Sequence, residues 1–221
     1  MCGRYVLIAD PNLIQQEFNL TSMPDFTARY NIAPTQTLPV VTNENPHELT
    51  LLRWGLVPSW SKDDSAAAKM INARSETAAE KPSFRTPFKR RRCLIPASGF
   101  YEWQQREGGK APMFIHLKDR EVFGFAGLWD MWRSPDGKEL KTFTILTTTA
   151  NEFTQPIHER MPVILHREDY GLWLANDDVP VAKLQALMKP YDADAMSAYE
   201  VSKAVNKVQI DSPECIAPLA S

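Results

Sequence analysis

The chain has 221 residues, of which 43% are hydrophobic and 24% charged, with a formal net charge of −2. Such a balance excludes a polycation drawn to nucleic acid by bulk attraction, and no run approaches the roughly 18 apolar residues of a membrane span. The length is ordinary for one domain with a sizeable core, so residues 1–221 are expected to form a single domain.

The opening MCGRYVLIADPN lacks the basic flank, long apolar run and small-residue cleavage site of a signal peptide. Cys2, Cys93 and Cys215 are odd in number and far apart, with no CxxC pair among them. Reduced thiols, a cytoplasmic location and no membrane partner are the expectation.

In chain order, Asp10 followed by Pro11 starts a short helix, with Asp10 as N-cap and Leu13, Ile14 and Phe18 as its apolar stripe. From Thr37 to Trp129 the sequence reads mainly as short strands, TLPVVT, LTLLRW, MINAR, RCLIP, GFYEWQ, MFIHL and VFGFAGLW, rich in β-branched and aromatic residues. REGGK at 106–110 and SPDGK at 134–138 read as hairpin turns and point to antiparallel pairing. The strand TFTILTT follows, then QPIHERMPVIL, then helical patterns at 167–175 and 180–189 that end before Pro190. The fold class is α+β, a sheet core with helices at its edges. The 17 prolines are spread through the chain, and no repeat or low-complexity tract suggests a second unit.

Position makes Cys2 the most informative residue. Once Met1 leaves, it carries a thiol with pKa about 8.5 and an α-amine with pKa about 8. The amine can condense with an aldehyde to a Schiff base, and the sulfur can then close a five-membered thiazolidine ring. An internal cysteine cannot do this. The bland alternative is a small buried thiol near a chain end. Gly3, which permits close backbone approach, and the cation of Arg4 favour the reactive reading.

Three further segments carry titratable or polar groups suited to such chemistry. In INAR, Asn72 and Arg74 share one face of a strand, where Asn72 can orient the Cys2 amine and Arg74 can hold a phosphate; a cross-strand pair explains them equally well. In GFYEWQ, Glu102 lies among aromatic residues, which suits proton transfer near neutral pH, or else a buried ion pair. His158, in a loop between Pro156 and Pro162, is the best placed of the four histidines to shuttle protons. The fifth position of an HExxH motif is occupied by Pro162, and no P-loop, GxGxxG or GxSxG is present, so neither metal nor cofactor is called for. KRRR at 89–92, Arg29, Arg53 and Arg85, and Trp54 and Trp60 flanking GLVPS fit a single-strand binder, although charge runs are more often solvated and tryptophans more often core.

With Cys2, RYNIAP, RWGLVPSW, INARSET, CLIPASGFYEW and HERMPVIL in this order, the chain resembles the SOS-response-associated peptidase family along nearly its whole length. That resemblance implies an antiparallel, barrel-like β-sheet core flanked by short helices. It also implies shielding of abasic sites in single-stranded DNA through a thiazolidine crosslink at the N-terminal cysteine, with lyase-type activity and autoproteolytic loss of Met1. Cys2 then matches the crosslinking residue, Asn72 its positioning asparagine, Glu102 the acid–base carboxylate, and His158 the histidine assisting Schiff-base formation and crosslink reversal. Arg4 and Arg74 match phosphate-contacting arginines, and Trp60 falls where relatives insert a bulky residue beside the strand. The implied partner is single-stranded DNA containing an abasic site, met by a monomer that joins the nucleoid during repair. Two rivals remain: an N-terminal-nucleophile amidohydrolase or glutamine amidotransferase, many of which also begin Met-Cys-Gly, and a non-covalent single-stranded DNA-binding module.

Overall fold

A computed structural model describes residues 2–25 and 27–219. The first expectation to hold is the helix start. The Asp10 side chain accepts the Asn12 N–H at 2.8 Å and opens α1 (Pro11–Glu17), which buries Ile14.

The strands are β1 (Tyr5–Leu7), β2 (Arg29–Ile32), β3 (Thr37–Thr42), β4 (Thr50–Trp54), β5 (Asn72–Arg74) and β6 (Arg92–Ala97). They continue with β7 (Gly99–Arg106), β8 (Gly109–Leu117), β9 (Phe123–Arg133), β10 (Glu139–Thr149), β11 (Arg160–Pro162) and β12 (Met196–Glu200). One sheet has the order β12-β8-β7-β1-β2. In the other, β10, β4, β3, β6 and β9 follow one another, and β10 also pairs with β9, so the five close into a barrel, with β5 and β11 added beside the far end of β10. The α+β class with a barrel core is therefore as expected.

Hairpins account for β7–β8 and β9–β10, whose turns hold Gly108 at φ +89° and Gly137 at φ +86°, where a Cβ would be strained. The sheets depart from a wholly antiparallel pattern at one strand, since β10 runs parallel to both β4 and β5. No short turn joins these partners, so nothing forces them antiparallel.

Alternation along β1 divides the interior. Tyr5 and Leu7 enter the main apolar cluster with Trp54, Phe100, Phe125 and Phe143, while Val6 joins a second one with Tyr101, Phe114, Val201 and Val205. Tyr5 packs edge-on against Trp54 at 5.4 Å and Phe125 at 5.9 Å.

The helices α2 (Ser75–Ala78), α3 (Arg85–Arg90), α4 (Tyr170–Trp173) and α5 (Val181–Ala186) are short, and none among the described residues is long and apolar enough to cross a membrane. The KRRR run splits between fates. Arg92 is fully buried and donates to the carbonyls of Trp173 at 2.7 Å, Lys89 at 2.7 Å and Phe88 at 3.0 Å, while Arg91 pairs with Asp130 beside the Trp129 ring.

Candidate active site

The main chain places Cys2. Tyr5 lies opposite Phe100, and the Arg4 carbonyl accepts the Tyr101 N–H at 3.0 Å. Carried on by two residues, this antiparallel register brings the Cys2–Gly3 segment against Glu102 and Trp103 of β7. Cys2 is fully buried, its sulfur 3.9 Å from the Arg4 carbonyl, and Glu102 is 4% exposed. Burial first, then the Glu102 carboxylate, push the Cys2 thiol far above the ordinary thiol range. Such a thiol reacts only as a base takes its proton. Cys93 and Cys215 are also free and buried.

Asn72 reaches this region through aromatic packing. Tyr5 stacks edge-on upon Trp54, whose Nε1 donates to the Ile71 carbonyl at 2.9 Å, and the same carbonyl accepts Asn72 Nδ2 at 3.0 Å. The amide is thereby oriented, and its Oδ1 is buried without a hydrogen-bond partner. An unfilled buried acceptor costs about 1–3 kcal/mol. INAR has the expected faces, with Asn72 half-buried, Ala73 buried and Arg74 exposed.

His158 lies in the loop before β11, as expected, and is half-buried. Its Nδ1 accepts the Arg160 N–H at 2.9 Å and stands 3.1 Å from the Arg160 carbonyl. One residue thus presents both a donor and an acceptor to the same ring nitrogen, and which of the two it meets depends on the tautomer. The loop is tied to β7 by Gln104, which donates to the Pro156 carbonyl at 3.2 Å, on the strand that carries Glu102.

These ties put Glu102 beside Cys2 and connect the segments carrying Asn72 and His158 to β1 and β7. The other three sequence-derived residues sit differently. Arg4 turns to the opposite face, where its Nη1 donates to Asn31 Oδ1 at 2.8 Å and the Val205 carbonyl at 2.7 Å; burial lowers its pKa. Arg74 is exposed. Trp60 is 65% exposed, on a loop whose base is held by Ser59 N–H to Asp130 at 2.9 Å and Trp132 Nε1 to the Ser61 carbonyl at 2.7 Å.

Sequence reasoning overlooked Arg160 and Glu76, which form an ion pair, and Asn31, a fully buried amide. Arg160 stands two residues after His158 in HERMP, a same-face spacing that offered the one local signal.

The chain is similar to several known proteins. The family model for SOS response associated peptidase (SRAP) matches residues 1–208. The abasic site processing protein YoqW of Bacillus subtilis (strain 168) is 46% identical over 221 residues, covering 98% of this chain and 99% of that protein. The abasic site processing protein HMCES of Gallus gallus is 37% identical over 223 residues, covering 86% of this chain and 66% of that protein. A crystal structure of a protein from Bacteroides thetaiotaomicron superposes with a TM-score of 0.90 at 29% identity, covering 99% of this chain and all of that one.

Proposed function

Because the chain belongs to the SOS response associated peptidase family, we propose that it processes abasic sites in single-stranded DNA by forming a covalent crosslink through Cys2. The observation that carries this reading is the buried Cys2 thiol beside the buried Glu102 carboxylate, with an open Asn72 acceptor close by. Relatives with the printed name abasic site processing protein support the choice of electrophile.

The reaction balances with one water lost. The Cys2 α-amine attacks the C1′ aldehyde of the opened sugar, and the resulting carbinolamine expels water to leave an imine. Asn72 Oδ1 accepts an N–H of the attacking amine and directs its lone pair at the carbonyl carbon. His158 supplies the proton that turns the departing hydroxyl into water. The thiol then adds across C=N: sulfur bonds to carbon, and its proton passes through Glu102 to the ring nitrogen. Reversal runs the same steps backward.

Met1 lies outside the described residues. Its loss is a precondition, since an acylated amine cannot form the imine. Autoproteolytic removal is part of the proposal, and intact mass of protein made without methionine aminopeptidase tests it. We read residues 1–221 as one domain, with the family match over 1–208 in support, and as a cytoplasmic monomer.

Incubation of Met1-free protein with single-stranded DNA carrying a uracil-excised site should give a species that survives a denaturing gel. Binding that vanishes on denaturation and falls steeply with salt would favour a non-covalent module instead. Ammonia released from glutamine would favour an amidotransferase.

A further inference from the structure

The Arg160 side chain, 10% exposed, reaches back from β11 across β10. It donates to the Thr147 carbonyl at 2.6 Å and to both oxygens of Glu76, one of them at 2.9 Å. Thr147 lies opposite Arg74 at the end of β5, and Glu76 follows two residues later in α2. One guanidinium therefore fastens the strand that carries Asn72 to the strand that follows His158. A forked pair of this kind fixes orientation as well as distance, and the Arg160 guanidinium draws the Glu76 carboxyl below its usual pKa.

The main chain of the same arginine holds His158. Its N–H faces Nδ1 at 2.9 Å and its carbonyl at 3.1 Å, so a small shift of the Arg160 backbone decides which of the two the ring meets. That backbone is paired with Thr149 in the β10–β11 ladder, and the grip on the guanidinium is a second restraint on it.

We propose that Glu76 is a positioning residue for His158: by gripping the Arg160 guanidinium it helps hold the Arg160 main chain so that its N–H meets Nδ1, which favours the tautomer with the proton on Nε2. The consequence for crosslinking rests on the function proposed above; the tautomer does not.

The test uses the full chain with 15N-labelled histidine. In the wild type, the His158 nitrogen shifts should report a bare Nδ1 and a protonated Nε2. Glu76→Ala should move the ring toward a mixture of tautomers, and Glu76→Gln, which keeps one acceptor, should lie between. Because Glu76 is half-exposed, thermal unfolding of the variants should stay close to wild type. With abasic DNA, Glu76→Ala should slow adduct formation roughly tenfold, a fraction of the factor general acid–base catalysis supplies. In a His158→Ala background, the same change should cost about twofold or less. An unchanged tautomer in Glu76→Ala, or equal slowing in both backgrounds, would overturn the assignment. If wild-type protein forms no adduct at all, the proposed function falls, and the tautomer measurement still decides the role of Glu76.

Discussion

Tyr101 and Glu102 are neighbours on β7, both buried, and they face two differently built regions. On the Tyr101 side the polar groups are saturated. Tyr101 donates to the Tyr30 and Cys215 carbonyls at 2.7 and 3.2 Å, while Asn31 Nδ2 reaches the carbonyls of Val205, Lys207 and Ile210 and its Oδ1 takes Arg4. On the Glu102 side the Cys2 sulfur has a contact at 3.9 Å and Asn72 Oδ1 has none. A saturated face has nothing left to offer a substrate and acts as scaffold. On the proposed function, the other face supplies the reacting groups.

Substitutions on the two faces should therefore separate stability from reactivity. The largest loss of stability is expected for Asn31→Ala, which removes a donor shared by three carbonyls and one acceptor of Arg4 from a buried site. It should cost about 3 kcal/mol and lower Tm by roughly 6–12 °C, read by thermal unfolding, while the folded fraction still crosslinks. Asn72→Ala should do the reverse, leaving Tm within about 2 °C of wild type and slowing adduct formation roughly 30-fold in a quenched-gel time course. If Asn72→Ala proved as destabilising as Asn31→Ala, the contrast between the faces would be lost.

Tyr101→Phe removes one hydroxyl from the saturated side and should cost about 1 kcal/mol, seen as a lower denaturant midpoint with no change in adduct rate. The smallest expected effect comes from the thiols. Burial raises the pKa of Cys2 and of Cys93 in the folded chain, so their stabilising contribution is complete below the unfolded value of about 8.5 and is lost as pH rises above it. Stability should fall from about pH 9 upward, and Cys2→Ala with Cys93→Ala should flatten that decline.

The parts legible in the sequence were those whose chemistry is local. Asp10 with Pro11 marked α1, the glycines of REGGK and SPDGK marked two hairpins, and the alternation of INAR gave the faces of Asn72, Ala73 and Arg74. Cys2, Asn72, Glu102 and His158 were readable as reactive residue types, and it was the family resemblance that grouped them as one site. Distant partners were beyond local pattern. Arg4 meets Val205 some two hundred residues away, and Arg92 looks like a surface charge until the carbonyls of Trp173 and Lys89 close around it. The parallel pairing of β10 with β4 and β5 left no turn signal, and the Glu76–Arg160 link joins two motifs that each read sensibly alone.

The central claim is that both nucleophiles of Cys2 end up on one carbon. Intact mass spectrometry of Met1-free protein with an abasic oligonucleotide, before and after borohydride treatment, tests it most directly. The account predicts an adduct weighing protein plus DNA less one water, its mass unchanged by borohydride and its formation abolished in Cys2→Ala. An adduct that gains two hydrogens on reduction, or one that persists in Cys2→Ala, would mean an open imine or another residue and would contradict the account.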